Sequence, residues 1–312
     1  MNKPETRQEP AKSDSEQRRC GFVALIGPPN AGKSTLINAL VGFKVAAISH
    51  KVQTTRTLLR AIAIAEKAQL IFVDTPGIFT AKRRLDRAMV ASAWAGANET
   101  DIIGVVLDAR RGTDDAGPLF EQLSAHRPAK ILIINKIDLM EKPRLLRLAK
   151  TATERADFAA TFMISALNGD GVADVRSWLA KNVPAGPWLY PEDQITDAPL
   201  RQLAAEITRE KVYLYLHDEL PYRSTVETDE WKKQKDGSVR IAQTIYVERE
   251  SQRKIVLGKH GRMIKTIGAA ARPEIAAAID APVHLFLFVK VRENWTDDAE
   301  RYDAMGLAFP KD

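Results

Sequence analysis

An apolar run, Phe22 to Ile26, passes directly into Gly27-Pro28-Pro29-Asn30-Ala31-Gly32-Lys33-Ser34 and then into a helical pattern, Lys33 to Val41. This junction limits the fold more than anything else in the sequence. It fits G-x-x-x-x-G-K-[ST] in the strand-to-helix context that the motif requires. Glycines let backbone N–H groups turn inward around phosphate oxygens, and the helix that follows points its positive N-terminal end at the same anion. A glycine-rich turn serving only to join strand to helix would not need Lys33 and Ser34. With them, Lys33 is placed to reach the β- and γ-phosphates of a nucleotide and the Ser34 hydroxyl to bind Mg²⁺, and Gly27 to Thr35 are expected to line the nucleotide.

The chain around this motif has 312 residues, enough for two domains that each bury a core. From Cys20 to Lys181, short β-branched runs alternate with helical patterns, which predicts a largely parallel sheet with helices on both faces. The predicted strands are Phe22 to Ile26, Leu58 to Ile64, Leu70 to Val73, Ile102 to Leu107, Ile131 to Ile134 and Phe162 to Ile164. The predicted helices are Lys33 to Val41, Leu85 to Ala97, Pro143 to Arg155 and Val172 to Lys181. Several strands are apolar at nearly every position, as strands buried on both faces should be. At Val183 to Asp193 the texture changes to VPAGPWLYPED, whose prolines exclude continued helix. The expected organisation is an N-terminal tail over 1–19, an α/β domain over 20–183, a proline-rich linker over 184–196 and a smaller α+β domain with a C-terminal extension over 197–312. In that second domain the patterns predict a helix at Leu200 to Leu216, strands at Tyr222 to Trp231 and Val239 to Glu250, helices at Arg262 to Ile267 and Ala269 to Ile279, and a strand at Val283 to Arg292.

Two further motifs sit at strand ends, where ligands of open α/β sheets bind. Asp74-Thr75-Pro76-Gly77 follows Leu70 to Val73, so Asp74 emerges at the carboxyl edge of the sheet, placed to hold Mg²⁺. Asn135-Lys136-Ile137-Asp138 follows another apolar strand and matches N-K-x-D, the guanine-specificity motif of the Ras-like GTPase superfamily. The chemistry is asymmetric: the Asp138 carboxylate can accept from both the ring N–H and the exocyclic amine of guanine, whereas adenine presents no matching donors. GTP and GDP are the expected nucleotides. Ser165-Ala166-Leu167 resembles the next element of that superfamily, in which the Ala166 N–H meets the guanine carbonyl. Where Ras-like proteins carry a water-orienting glutamine after Asp-x-x-Gly, this chain has Ile78, which can neither donate nor accept. Slow intrinsic turnover is expected.

In the second domain the apolar segment Ile255-Val256-Leu257 leads into Gly258-Lys259-His260-Gly261 and then an amphipathic helix. A lone G-x-x-G is weak; here it stands within the helix and strand order of a type II KH fold. Such a loop clamps the backbone of single-stranded RNA, and Lys254, Lys259, Arg262 and Lys265 supply counter-charge around the two glycines. Ile255, Val256, Leu257, Ile264 and Ile267 are expected in the core or the groove wall. A bland turn between helices on a protein-docking domain is the alternative.

Taken in order from Cys20 to about Trp295, these motifs resemble the Era family of GTPases, which carry a type II KH domain after the GTPase domain. The resemblance implies binding near the 3′ end of small-subunit ribosomal RNA during assembly of the small ribosomal subunit, with peripheral association at the inner membrane as a second location. Val52 to Thr57, reading VQTTRT, is similar to the family's first switch, and the resemblance favours Thr55 over Thr54 as the residue that closes on Mg²⁺ and the γ-phosphate, with Lys33, Ser34, Asp74 and Gly77 completing the hydrolytic site. It also places the chain with GTPases that have an apolar residue at Ile78, several of which use a K⁺ ion held by an asparagine at Asn30. Asn30 bonding its own loop backbone is an equal reading.

Net charge +6 favours polyanionic partners, though weakly. Met1 to Arg19 is polar and lacks the apolar centre of a signal peptide, and no apolar run reaches membrane-spanning length. One cysteine, Cys20, argues against a disulfide framework and fits the cytoplasm. Nothing in the sequence predicts a stable oligomer. A membrane- or protein-docked signalling GTPase would bind vesicles or protein without RNA, and a tRNA-modification GTPase would carry a modification domain in place of the KH signature.

Overall fold

In a computed structural model of the chain the described residues are 18–47, 59–81, 84–197, 199–217, 220–293 and 308. Thr54, Thr55 and nearly all of the expected N-terminal tail and C-terminal extension lie outside them. The first domain is a six-stranded sheet in the order β2-β3-β1-β4-β5-β6. Its strands are β1 (Arg19–Ile26), β2 (Leu59–Ala65), β3 (Ala68–Asp74), β4 (Ile102–Asp108), β5 (Ala129–Asn135) and β6 (Ala160–Ile164). Only the β2–β3 pair is antiparallel. Every residue of β3 and β4 is buried, which is why their sequences lack apolar–polar alternation.

Helices cover both faces. On one, Leu36, Ile37 and Leu40 of α1 (Lys33–Val41) and Val175 and Leu179 of α5 (Val172–Asn182) pack on the sheet. On the other lie α2 (Arg84–Asn98), α3 (Gly117–Leu123) and α4 (Lys142–Thr153), contributing Trp94, Phe120 and Leu145 among others. Leu36 is fully buried, so Leu36→Ala should cost about 2–5 kcal/mol and loosen the helix that follows the Gly27–Ser34 loop. Helix α3 has no counterpart among the sequence expectations. It is a short helix behind a 3-10 turn, Asp114–Ala116, and too brief for the period of its apolar residues to stand out.

The proline-rich segment is strapped to the sheet edge. Cys20 N–H donates to the Pro184 carbonyl, Ile62 N–H to the Ile195 carbonyl, and the buried Gln69 amide accepts from Leu189 and Tyr190 N–H while donating to the Tyr190 carbonyl. Arg19, expected in the tail, opens β1 instead; its guanidinium donates to the Val183 carbonyl at 2.7 Å.

The second domain contains α6 (Leu200–Tyr215), β7 (Ser224–Lys233), β8 (Val239–Val247), α7 (Glu250–Leu257), α8 (Arg262–Ile279) and β9 (Val283–Val291). Its sheet runs β7-β8-β9, with β8 and β9 parallel. The order helix, strand, strand, helix, helix, strand is as expected, but the two middle helices differ from the expectation. The first is Glu250–Leu257, read from sequence as strand end and apolar segment; the second is one continuous helix where two were expected. Gly268 does not break α8. An added Cβ there would make an ordinary van der Waals contact, 3.4 Å from Leu287 Cδ1 of β9. The domains meet through charge: Lys44, just after α1, bonds Glu210 at 2.9 Å and Glu274 at 2.6 Å, and Lys211 bonds both carboxylates.

Candidate functional sites

The loop between β1 and α1 wraps around Lys33, whose ammonium donates to the carbonyls of Gly27 and Pro28, each at 3.2 Å. Burial pushes the Lys33 pKa down to about 8, and the nearby Asp74 carboxylate opposes the shift. Ser34 Oγ donates to Asp74 Oδ2 at 3.0 Å, bringing the two expected Mg²⁺ oxygens together. Hard oxygen donors beside a phosphate cradle fit Mg²⁺. Thr75 has a structural role, its hydroxyl donating to the buried Leu25 carbonyl at 2.7 Å. Ile78, next to Pro76 and Gly77, donates its N–H to the Gly27 carbonyl at 2.9 Å and is buried in the core with Trp94. Its side chain lies in that core, consistent with an apolar residue there.

The guanine-side motif holds the phosphate loop in place. Buried Asn135 donates from Nδ2 to the Ala31 carbonyl at 2.9 Å, and its Oδ1 accepts from Lys136 N–H at 2.8 Å and Ala166 N–H at 3.0 Å. One side chain thus joins the phosphate loop, N-K-x-D and Ser165-Ala166. The expected bond from Ala166 N–H to a guanine carbonyl would have to be shared with this one. Gly32 is required by the same packing: its φ is +98°, and a Cβ would sit 2.2 Å from Asn135 Nδ2. Lys136 Nζ reaches the Asn30 carbonyl at 2.5 Å and Asp108 Oδ2 at 2.7 Å. Asp138 is exposed in the turn that follows, and no hydrogen bond engages it among the described residues. Ser165 is buried, its hydroxyl accepting from Asn168 N–H at 3.4 Å.

Asp108 is a site residue that the motifs did not reveal. Burial pushes its carboxyl up, but hydrogen bonds from Arg110 and Lys136 outweigh that and hold it down to about 2. It keeps Lys136 stretched along the loop. The signal was the one that singled out Asp74: an apolar strand ending in aspartate at the carboxyl edge. Asn30 has φ +63°, a left-handed conformation that asparagine tolerates better than most residues, so backbone geometry alone gives it a reason to be there.

In the second domain, Gly258 and Gly261 have φ +69° and +72°. A Cβ on Gly258 would strike Met263 at 2.7 Å, whereas around Gly261 the space is open. Lys254, Lys259, His260, Arg262 and Lys265 are all exposed. Beside them a groove of about 360 Å³ runs between α8 and β9, lined by Ile264, Lys265, Gly268, Arg272, Leu285 and Leu287. Val256 and Ile267 are in the core as expected, but Ile255 is 56% exposed because α7 turns it outward. Arg272 escaped the sequence reading, although it lies two turns beyond Lys265 on the same helix.

Fold and sites together define a P-loop GTPase domain fused to a KH domain. Residues 22–136 match the family model described as a 50S ribosome-binding GTPase, and residues 219–296 match the KH domain model. The chain is 64% identical over 295 residues to GTPase Era of Bradyrhizobium diazoefficiens, covering 94% of this chain and 96% of that one. It is 62% identical over 312 residues to GTPase Era of Afipia carboxidovorans, covering 100% and 99%. Among solved structures it is similar to Aquifex aeolicus Era Y63A bound to GDP·AlF4⁻, with 37% identity, a TM-score of 0.87 and coverage of 93% and 99%. It is also similar to Era in complex with MgGDPNP and nucleotides 1506–1542 of 16S ribosomal RNA, with 36% identity, a TM-score of 0.88 and coverage of 94% and 100%. The chain belongs to the Era family of GTPases.

Proposed function

We propose that the chain is a GTP-hydrolysing switch that binds the 3′ end of 16S ribosomal RNA through its KH domain and acts in small-subunit assembly. The observation that carries the RNA half is the Gly258–Gly261 corner, open at Gly261 and ringed by exposed cations, at the head of an apolar-walled groove. The solved Era bound to 16S RNA supports the small subunit, and it is matched over 94% of this chain. The model named for the 50S subunit covers only the nucleotide domain. Contact with the inner membrane would be peripheral, since no helix among the described residues is long and apolar enough to cross a bilayer.

On the nucleotide side, Lys33 holds the phosphates, Asp138 selects guanine, and Asn135 and Lys136 keep both parts in register. Ser34, Asp74 and, from the first switch, Thr55 would hold Mg²⁺, which neutralises charge on the β- and γ-phosphates when bound. A K⁺ ion held by Asn30 would supply the positive charge that Ile78 cannot. Turnover should then be faster in potassium than in sodium at equal ionic strength, and Asn30→Gly, which keeps the left-handed backbone, should erase the difference. Equal rates in both salts leave Asn30 with its loop-shaping role alone.

The RNA half is tested by replacing Lys259 and His260 with Asp. Both positions are exposed, so the variant should keep its melting temperature and GTPase rate, lose most affinity for single-stranded 16S RNA, and reduce the slope of log affinity against log salt by about 1. Unchanged RNA affinity in the folded variant would make the second domain a protein-docking module.

A further inference from the structure

Among the described residues, the three-stranded sheet of the second domain has helices on one face only. Val239, Ile241, Ile245 and Val247 of β8 and Val283, Leu285, Leu287 and Val289 of β9 pack toward α6, α7 and α8. The alternate residues face the other way, and no helix among the described residues covers them. On β9 these are His284, Phe286, Phe288 and Lys290, all exposed; Phe286 is 41% and Phe288 51% exposed. Two large aromatic rings held out in solvent on one strand need an explanation that core packing does not supply.

Their surroundings are cationic. The register sets Arg240 beside His284 and Lys232 beside Arg240, and the Arg240 guanidinium lies over the Phe286 ring, 4.4 Å from its centroid. Lys232, Lys233 and Lys235 of the β7–β8 hairpin line a concavity of about 810 Å³ that ends at Phe286. Among the described residues none of these three lysines, nor Lys290, has an acidic partner. The nearby acids are occupied: Glu230 pairs with Arg240 at 3.5 Å, Asp229 accepts from the Thr244 hydroxyl at 2.6 Å, and Asp236 accepts from Ser238. Phe286 also lines the groove between α8 and β9, so groove and open face are continuous around the edge strand.

We propose that this open face is a second RNA-contact surface: bases leaving the KH groove stack on Phe286 and Phe288, and the hairpin lysines take the phosphates of the same strand. The proposal rests on the RNA reading above and extends it to a surface outside the G-x-x-G clamp. Residues i and i+2 of a strand are about 6.6 Å apart on one face, which presents the two rings as separate platforms. Aromatic side chains on an open sheet flanked by cations are how single-stranded RNA is stacked in other small α+β modules. An anionic lipid surface would share the cations and could take the rings, but the continuity of this face with the α8–β9 groove through Phe286 favours a single nucleic-acid strand.

The test uses the full chain with two RNAs from the 3′ end of 16S ribosomal RNA, one of four nucleotides, the length a G-x-x-G loop clamps, and one of ten. Phe288→Ala is chosen because Phe288 does not line the groove. It should weaken the ten-nucleotide RNA about tenfold, within the range of one lost base–aromatic stack, and leave the four-nucleotide RNA unchanged; Phe288→Trp should keep both affinities. Photocrosslinking of the unmodified protein to 4-thiouridine RNA should mark the peptide carrying Phe286 and Phe288, independently of any variant's folding. Identical affinity of Phe288→Ala for the ten-nucleotide RNA, or crosslinks confined to the Gly258–Gly261 loop, would overturn the proposal and leave the KH reading standing. Loss of binding to phosphatidylglycerol vesicles with RNA binding intact would overturn it in favour of a membrane face. If Lys259→Asp with His260→Asp binds both RNAs normally, it is the underlying KH reading that fails.

Discussion

Asn135→Ala would remove one side chain that joins three segments of the nucleotide site. The bonds lost are those to the Ala31 carbonyl at 2.9 Å and from the N–H groups of Lys136 at 2.8 Å and Ala166 at 3.0 Å. Each such bond contributes about 0.5–1.5 kcal/mol net, and the two N–H donors stripped of an acceptor move the sum away from the low end. About 3 kcal/mol is expected, a fall of roughly 150-fold in the folded-to-unfolded ratio. The assay is urea unfolding of the nucleotide-free protein, in which the transition of the GTPase domain should move to lower urea with unchanged slope while that of the KH domain stays in place. Gly32→Ala supplies a cross-check. Its Cβ would strike Asn135 Nδ2 at 2.2 Å, so with Asn135 already truncated the substitution should cost less, leaving only the strain of its positive φ; the double variant should be more stable than the sum of the singles by about 0.5–3 kcal/mol. A nucleotide-free stability that Asn135→Ala leaves unchanged would show that the side chain contacts only ligand and joins nothing.

Asp138→Asn should weaken GTP by about 2–4 kcal/mol, because an acceptor facing the guanine amine becomes a donor, with no change in unfolding since Asp138 is exposed; equal affinity of the unmodified protein for GTP and ATP would refute the assignment. Lys33 has its pKa pushed down to about 8 by burial, and bound phosphates favour its charged form. The complex therefore holds more protons than the free protein above that pH, and GDP affinity, flat below about pH 8, should fall as pH rises beyond it. Titrations at pH 7, 8 and 9 that give the same slope for Lys33→Met would assign the titration elsewhere. Lys44→Glu sets a carboxylate against Glu210 and Glu274; solution scattering should show a larger radius of gyration with each domain's melting unchanged, and an identical radius would mean that the charge cluster does not hold the domains together.

The placement of the P-loop, Asp74-Thr75-Pro76-Gly77 and Asn135-Lys136-Ile137-Asp138 was legible in the sequence because each stands at the end of an apolar strand, and a strand followed by a fixed motif leaves few geometries. Helix α1 has the bounds its apolar period predicted, Lys33–Val41. What the motifs could not give is their mutual contacts: Asn135, Lys136 and Asp108 act across more than twenty residues of chain, and Asn135 reads in the sequence only as a letter of N-K-x-D. In the KH domain, Glu250–Leu257 was missed because its apolar residues, Ile255, Val256 and Leu257, are consecutive at its end and give no helical period to detect. Gly268 was misread because a glycine tolerated inside a helix and one that ends a helix look alike in sequence. The open face of β9 was hidden for a related reason. His284 to Val289 is almost wholly apolar, as in a strand buried on both faces, while the structure leaves Phe286 and Phe288 exposed.

The central claim, that one chain couples a guanine-nucleotide site to capture of small-subunit RNA, is tested most directly by crosslinking the protein to RNA in living cells and sequencing what is attached. The account predicts reads concentrated at the 3′ end of 16S ribosomal RNA, and their loss when Lys259 and His260 are replaced by Asp while GTP hydrolysis persists. Reads spread over transfer RNA or large-subunit RNA, or a 3′-end signal that survives the double substitution, would contradict it.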